Sequence, residues 1–137
     1  MKKEVCTLVT YRLERARESL EEAKILLEQG YANTFVNRLY YACFYAVSSL
    51  LLTKELFSAK HSRIRSLFHQ NFVKVGMVNT ELGQLYDRLF DNRQKADYAD
   101  LFRFNPDEVR YWYDEVKKFV EFIENIIKKE MENNYQK

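Results

Sequence analysis

The chain has 137 residues, of which 15% are aromatic and 31% are charged, and its formal net charge is +2. This length predicts one domain that can bury a core without disulfide or metal cross-links, and the composition is globular rather than disordered. Three glycines and one proline are too few for an all-β chain, which needs a turn roughly every 8–12 residues.

A long amphipathic helix is predicted near the start of the chain. Its apolar residues recur at alternating spacings of four and three, and they are Val9, Leu13, Ala16, Leu20, Ala23 and Leu27. This period places them on one face of a helix. Gly30 follows, and a glycine is typical just after a helix end because it adopts positive φ without strain.

The stretch from Leu39 to Leu52 contains no charged residue, glycine or proline. Its fourteen residues would span about 21 Å as a helix and are fewer than the roughly 20 that a membrane span requires. A helix that is apolar nearly all round is buried. We therefore predict the central helix of a bundle, starting at Asn33 or Thr34 and ending near Lys54, and no membrane association.

The tyrosines of this stretch indicate a subunit contact. Tyr40, Tyr41 and Tyr45 point in different directions around a helix, so they cannot all face one core. Because exposed tyrosines are enriched at interfaces, we expect a homodimer.

Three more helices complete the predicted fold. A third runs from Ser58 to Gly76, and a fourth starts at Asn79 or Thr80 and loses its apolar rhythm after Arg93. A fifth starts at Asn105, because Asn-Pro followed by acidic residues is a strong helix start. The fold class is an all-α, up-and-down bundle of four long helices and a shorter one.

The third predicted helix is basic. No acidic residue lies between Glu55 and Glu81, and this segment carries Lys60, His61, Arg63, Arg65, His69 and Lys74. Its His61, Arg65 and His69 recur every fourth residue and form a stripe on one face. The segment is either a surface that binds phosphate, as in RNA or a nucleotide, or an ordinary solvated face.

No pattern for a metal or a cofactor is present in the sequence. The glycines are isolated, no His or Cys cluster has zinc spacing, and no Glu-x-x-His pair suggests a di-iron bundle. Cys6 and Cys43 do not form a disulfide framework, and Cys43 is expected to be a buried thiol. We therefore expect no metal and no cofactor. Because no signal peptide is visible after Met1, we also expect a cytoplasmic protein.

A polar cluster follows the fourth apolar stripe, from Asp91 to Asp100. Arg93 and Asp97 are four residues apart and share a helix face. They form either an ion pair within the helix, worth a few tenths of a kcal/mol, or part of a phosphate site, since the arginine fork matches phosphate.

Successive blocks of the sequence resemble the HEPN domain family. They are Asn37-Arg-Leu-Tyr-Tyr-Ala-Cys-Phe-Tyr-Ala-Val47, Lys60-His61, Phe72-Val-Lys-Val-Gly76 and Asp91-Asn-Arg-Gln-Lys-Ala-Asp-Tyr98. The resemblance covers about residues 7–127 of a single domain over 1–137, with residues 128–137 as a polar tail that frays.

The resemblance implies a helical bundle that dimerises, and many family members are toxins or RNases paired with a minimal nucleotidyltransferase. In the RNase members an Arg, followed after four to six residues by a His, handles the scissile phosphate without metal. The match places the Arg at Arg93, with Asp97 and Tyr98 as further candidate catalytic residues. The expected RNA- or phosphate-binding residues are Lys60, His61, Arg63, Arg65, Asn92 and Arg93.

The chain departs from the family pattern where the histidine is expected. Four residues separate Arg93 from Tyr98, so Tyr98 stands where that spacing would place the histidine, and no residue from Gln94 to Asp100 is a histidine. Tyrosine titrates near about 10 and aspartate near about 4, so neither is a good base at neutral pH. Two classes of function remain: a module that binds a nucleotidyltransferase, RNA or a nucleotide, or a metal-independent RNase with an altered site to which His61 contributes in space. A third alternative is a helical bundle with no catalytic role.

Overall fold

The computed structural model describes residues 2–98 and 102–135, with the backbone alone at Tyr98, Asn134 and Tyr135. The helices are α1 (Lys3–Glu28), α2 (Ala32–Leu52), α3 (His61–Phe68), α4 (Thr80–Tyr98), α5 (Pro106–Val109) and α6 (Trp112–Tyr135). A π-helical turn, His69–Val73, extends α3. No strand occurs in the described ranges, which confirms the predicted all-α bundle of four long helices and a shorter one.

α2 is the central helix, as predicted, and it packs against α1, α4 and α6. Leu39, Cys43, Val47 and Leu50 are fully buried. In the described part of the chain, α2 alone is long and apolar enough to cross a membrane, but 72% of its most apolar window is buried inside the bundle. Its apolar character is therefore that of a core helix.

Several helix boundaries follow the sequence signals. Gly30 and Gly76 adopt positive φ at the turns after α1 and after the π-helical turn. The side chain of Asn79 accepts a hydrogen bond from the Leu82 N–H at the start of α4, and that of Asn105 accepts one from the Asp107 N–H at the start of α5. These contacts satisfy N–H groups that the first turn of a helix leaves without partners.

Other boundaries differ from the prediction. The expected fifth helix is interrupted after Val109, and α6 begins at Trp112. α6 then continues to Tyr135 and packs Met131 against the core, so most of the predicted tail is helical. α4 likewise continues past Arg93 to Tyr98, although its apolar rhythm stops earlier.

The π-helical turn packs closely against α4. A side chain at Gly83 would come within 3.0 Å of the His69 ring and 3.2 Å of Val73. The same approach brings Nε2 of His69 to 2.9 Å from Oδ1 of Asp87. A glycine inside a helix weakens it by about 1 kcal/mol relative to alanine, and here the missing side chain allows α3 and its extension to lie against α4.

The start of α2 holds the segment that follows α4. The sequence analysis expected α2 to start at Asn33 or Thr34. The helix already begins at Ala32, so Asn33 does not cap it. Its amide instead donates to the Phe102 carbonyl and accepts from the Phe104 N–H, both at 2.9 Å. One turn later, Asn37 binds Asp97 near the end of α4. These two asparagines therefore fix the end of α4 relative to α2.

Replacing Asn33 with alanine should loosen this connection. Asn33→Ala removes both hydrogen bonds to the segment, and we expect the free energy of unfolding to fall by about 1–2 kcal/mol. Urea denaturation measures the change, and Thr34→Ala, at the exposed neighbouring position, serves as the control. An Asn33→Ala protein as stable as Thr34→Ala would contradict this account.

Candidate nucleic-acid interface

Arg93 is held inside the bundle by aromatic rings. The residue is only 9% exposed, and its Cζ atom lies 4.7 Å from the centre of the Tyr40 ring and 6.0 Å from that of Phe90. The apolar rhythm of α4 ends near Arg93, but the side chain of Arg93 still points into the bundle. Arginine can be buried in this way because its flat, weakly hydrated guanidinium stacks on aromatic faces.

The polar contacts of Arg93 leave much of its donor capacity unused. Its Nη1 lies 3.8 Å from Oδ2 of Asp97, which is an ion pair but too long for a hydrogen bond. Both carboxylate oxygens of Asp97 accept from the Asn37 amide, at 3.1 and 3.2 Å. Nε of Arg93 is buried without a hydrogen-bond partner among the described residues. The predicted pair with Asp97 therefore exists without satisfying the guanidinium.

His61 lies close to Arg93, because both residues contact Tyr40. The Tyr40 hydroxyl is 2.7 Å from Nδ1 of His61, and the imidazole stacks on Phe44 at 4.3 Å with an angle of 9° between the rings. Burial lowers the pKa of His61, and the nearby positive charge of Arg93 lowers it further. His61 is therefore neutral near pH 7, with its ring orientation set by two aromatic neighbours.

Tyr40 connects these two groups. It is fully buried, and burial raises the pKa of its phenol to about 12. The phenol therefore keeps its proton, and its hydroxyl pairs with Nδ1 of His61 in either tautomer: it donates when the imidazole proton is on Nε2, and its oxygen accepts when that proton is on Nδ1. We call Asn37, Tyr40, His61, Arg93 and Asp97 the Arg93 site.

Two further arginines stack on aromatic rings next to the Arg93 site. Cζ of Arg65 lies 4.1 Å from the centre of the Phe90 ring, and Cζ of Arg38 lies 4.8 Å from that of Tyr41. Arg65 is 3.8 Å from Asp91, and Arg38 is 3.7 Å from Glu22. The acidic partners are exposed or half-exposed at long range, so both arginines retain positive charge available to an anion.

The structure divides the predicted basic segment. His61 and Arg65 face α2 and α4, but Arg63 lines a groove on another face of α3 with Ser66, Gln70 and Lys74. His69 pairs with Asp87, so the predicted stripe of His61, Arg65 and His69 does not form one site.

The other predicted site residues lie at the edge of this region or outside it. Lys60 is exposed just before α3, and the Asn92 amide donates to the Arg88 carbonyl within α4 at 2.7 Å. The side chain of Tyr98 lies outside the described residues. Of the candidate catalytic residues, the structure thus brings together Arg93 and Asp97.

Sequence reasoning assigned Tyr40 to the core or to a subunit contact, and it gave Asn37 and Phe44 no role at the site. A signal for them was present, because Asn37, Tyr40 and Phe44 recur at spacings of three and four and so lie on one face of α2. The spacing within α2 does not indicate which helix packs against that face.

The fold and the site define a class of protein: an all-α bundle in which the buried Arg93 forms a polar site among aromatic core residues. Residues 9–126 match the HEPN domain. The chain belongs to the HEPN domain family, which confirms the resemblance of its sequence blocks.

Individual relatives cover most of the chain. A UPF0332 protein of Thermotoga maritima is 43% identical over 120 residues, which is 88% of this chain and 91% of the relative. A protein of Methanocaldococcus jannaschii named "Putative toxin" is 32% identical over 128 residues, 88% of this chain and 86% of that protein.

Proposed function

We propose that this HEPN protein binds the phosphate of RNA or of a nucleotide at the Arg93 site. We propose further that it is the HEPN component of a toxin–antitoxin pair whose other member is a minimal nucleotidyltransferase. The observation that carries the binding proposal is the incompletely satisfied guanidinium of Arg93, held beside His61 on the Tyr40 ring.

The energetics of burial support an anionic ligand at Arg93. A buried charged group without its full set of hydrogen bonds destabilises a fold by about 1–3 kcal/mol or more. A phosphate would supply two parallel acceptors to the guanidinium and would make charge-assisted hydrogen bonds with it. The carboxylate of Asp97 would compete with a phosphate for Arg93. It binds the Asn37 amide instead and stays beyond hydrogen-bond distance from Arg93.

The surroundings of the site suit a polyanion. Arg65 and Arg38 flank it, and the exposed Lys60 precedes the helix that carries His61. Tyr41 and Phe44 are only half-buried and present aromatic surface beside these charges. Aromatic rings next to cations are the usual platform for unpaired bases of RNA.

Arg93→Met tests the binding proposal, because methionine keeps an apolar stem on Tyr40 and removes the charge. We expect affinity for single-stranded RNA or nucleotide to fall at least about tenfold, equivalent to about 1.4 kcal/mol. The matched control is Arg88→Met on the same helix, since Arg88 also stacks on a ring, that of Trp112, and pairs with Glu115.

Fluorescence anisotropy with labelled RNA at several salt concentrations measures this effect. Binding through phosphates must weaken as salt rises, because counterions are released. Equal affinity of folded Arg93→Met and Arg88→Met proteins, or binding that is indifferent to salt, would refute the proposal.

The paired function draws on the relatives and on the surface of α2. The relative in Methanocaldococcus jannaschii carries the name of a toxin, and pairing with a nucleotidyltransferase is what the family resemblance implies. Tyr41 is half-exposed on α2, which supports a homodimer of this chain, and we propose that the dimer is cytoplasmic.

Isolation of the tagged protein from its native host tests the pairing. We expect a small nucleotidyltransferase to co-purify in stoichiometric amount, and light scattering of the chain alone to give the mass of a dimer. Recovery without any nucleotidyltransferase from cells that express both genes would contradict the pairing.

A metal-independent RNase is the second candidate, and the position of His61 favours it. The family's expected histidine is absent after Arg93, but His61 approaches the same guanidinium through Tyr40. When the proton of the neutral imidazole is on Nδ1 and is donated to the Tyr40 hydroxyl oxygen, Nε2 is free to take the proton of an attacking 2′-hydroxyl, while Arg93 stabilises the charge that develops on the phosphate. The leaving 5′-oxygen would then take up a proton from the imidazolium or from water.

His61→Gln separates this candidate from binding alone. If the chain cleaves RNA, His61→Gln should lower the single-turnover rate at least about a hundredfold, the usual size of a general-base contribution. Since the pKa of His61 is lowered, the acidic limb of the parent's pH–rate profile should lie below the ordinary value of about 6.5. The control is His69→Gln, and equal rates for the two variants would exclude His61 as the base.

A further inference from the structure

A second concave surface adjoins the Arg93 site. It is a groove of about 320 Å³ between α1, α2 and the segment that leads to α3. Phe44 separates the two regions, because its ring stacks on His61 and also lines the groove. The residues that characterise the groove are Leu8, Tyr11, Arg12, Arg15, Tyr45 and Ser48.

Arg12 gives the groove an unneutralised positive charge. The side chain is half-buried, and no carboxylate within ion-pair distance is found for it in the described part of the chain. Burial accordingly lowers the pKa of its guanidinium. Arg15, one turn further along α1, differs in having Glu18 at 2.7 Å, and it stacks on Tyr45 at 5.2 Å. Arg12 is therefore the cation with which an anionic ligand in the groove would pair.

Ser48 adds an unsatisfied hydroxyl. The residue is 2% exposed, and its Oγ atom has no hydrogen-bond partner among the described residues. The adjacent Ser49 shows the usual solution, since its hydroxyl donates to the Val9 carbonyl at 2.8 Å. A buried hydroxyl without a partner is unfavourable, so a polar group in the groove would satisfy the hydrogen-bonding capacity of Ser48.

The walls of the groove are aromatic and apolar. Tyr11 is 56% exposed and Leu8 is 37% exposed on α1, opposite the half-buried Phe44 and Tyr45 of α2. A flat aromatic group between these walls would be stabilised by stacking, worth about 1–3 kcal/mol for a nucleic-acid base. Aromatic walls, an unpaired arginine and an unsatisfied hydroxyl together match a nucleotide.

We propose that this groove binds one unpaired nucleotide of an RNA strand whose neighbouring phosphate lies at the Arg93 site. The base stacks against Tyr11 and Tyr45, and the phosphate of that nucleotide pairs with Arg12. The inference rests on the proposed function and narrows its ligand to single-stranded RNA.

The observations favour this occupant over two others. A base in a duplex is already stacked and paired, so it cannot enter the groove without leaving the helix. A second copy of the chain, placed by a two-fold axis through the groove, would bring Arg12 and Arg15 of both copies together and repel. Phe44 stacks on His61 and also lines the groove, so the groove lies next to the Arg93 site, where a single strand could reach both.

The test uses the full chain, a short single-stranded RNA with 2-aminopurine placed at each position in turn, and a duplex of the same sequence. We expect the parent to quench the fluorescence of the probe at one position of the strand, through stacking. Arg12→Gln should weaken single-strand binding about tenfold and leave duplex binding unchanged. Tyr11→Ala, at an exposed position, should remove the quenching and preserve the fold.

The controls separate this inference from the proposed function. Arg110→Gln is the control, because Arg110 is exposed, pairs with Asp107 and is far in sequence from the groove residues. This variant should bind RNA as the parent does. If Arg93→Met weakens binding but Arg12→Gln and Tyr11→Ala do not, the groove holds no nucleotide and the proposed function stands. If none of the three weakens binding, both fail. If Arg12→Gln changes the mass in light scattering but not the RNA affinity, the groove is a subunit contact and the inference is overturned.

Discussion

The ring of Tyr40 is the contact on which the rest of the site depends. It is fully buried on the central helix, and it touches His61 of α3 and both Phe90 and Arg93 of α4. The guanidinium of Arg93 thus stacks on the Tyr40 ring, and the imidazole of His61 is hydrogen-bonded to the Tyr40 hydroxyl. Because core packing allows few alternative rotamers, the distance between Arg93 and His61 is set by the same contacts that stabilise the bundle.

Arginines that lack full hydrogen bonding would link the stability of this protein to the binding of an anion. Arg17 and Arg88 lie close to the carboxylates of Glu124 and Glu115, contacts that join different helices. Arg93 and Arg12 are less well satisfied, the first by a long pair to Asp97 and the second by no carboxylate among the described residues. An anion bound by either would add to the stability of the folded state, since it binds the folded state alone.

The two asparagines at the start of α2 extend this logic beyond the centre. Asn33 holds the segment at Phe102 and Phe104, and Asn37 holds Asp97. A side-chain amide whose hydrogen bonds are satisfied favours one geometry. Here the two amides hold the end of α4 in the position where Arg93 lies over Tyr40. The site is therefore made by α2 as much as by the motif on α4.

The sequence alone determined the helical class and the central position of the stretch from Leu39 to Leu52, and it singled out Arg93 as a candidate, because period, composition and motif spacing are local properties. It did not determine that Arg93 is buried, since the end of an apolar stripe looks the same whether an arginine faces water or an aromatic ring of another helix. Nor could it join His61 to Arg93 or separate Arg63 and His69 from them, because α3 and α4 are far apart in sequence. Only the packing of both against Tyr40, with Gly83 allowing the close approach of the π-helical turn, decided which side chains share a site.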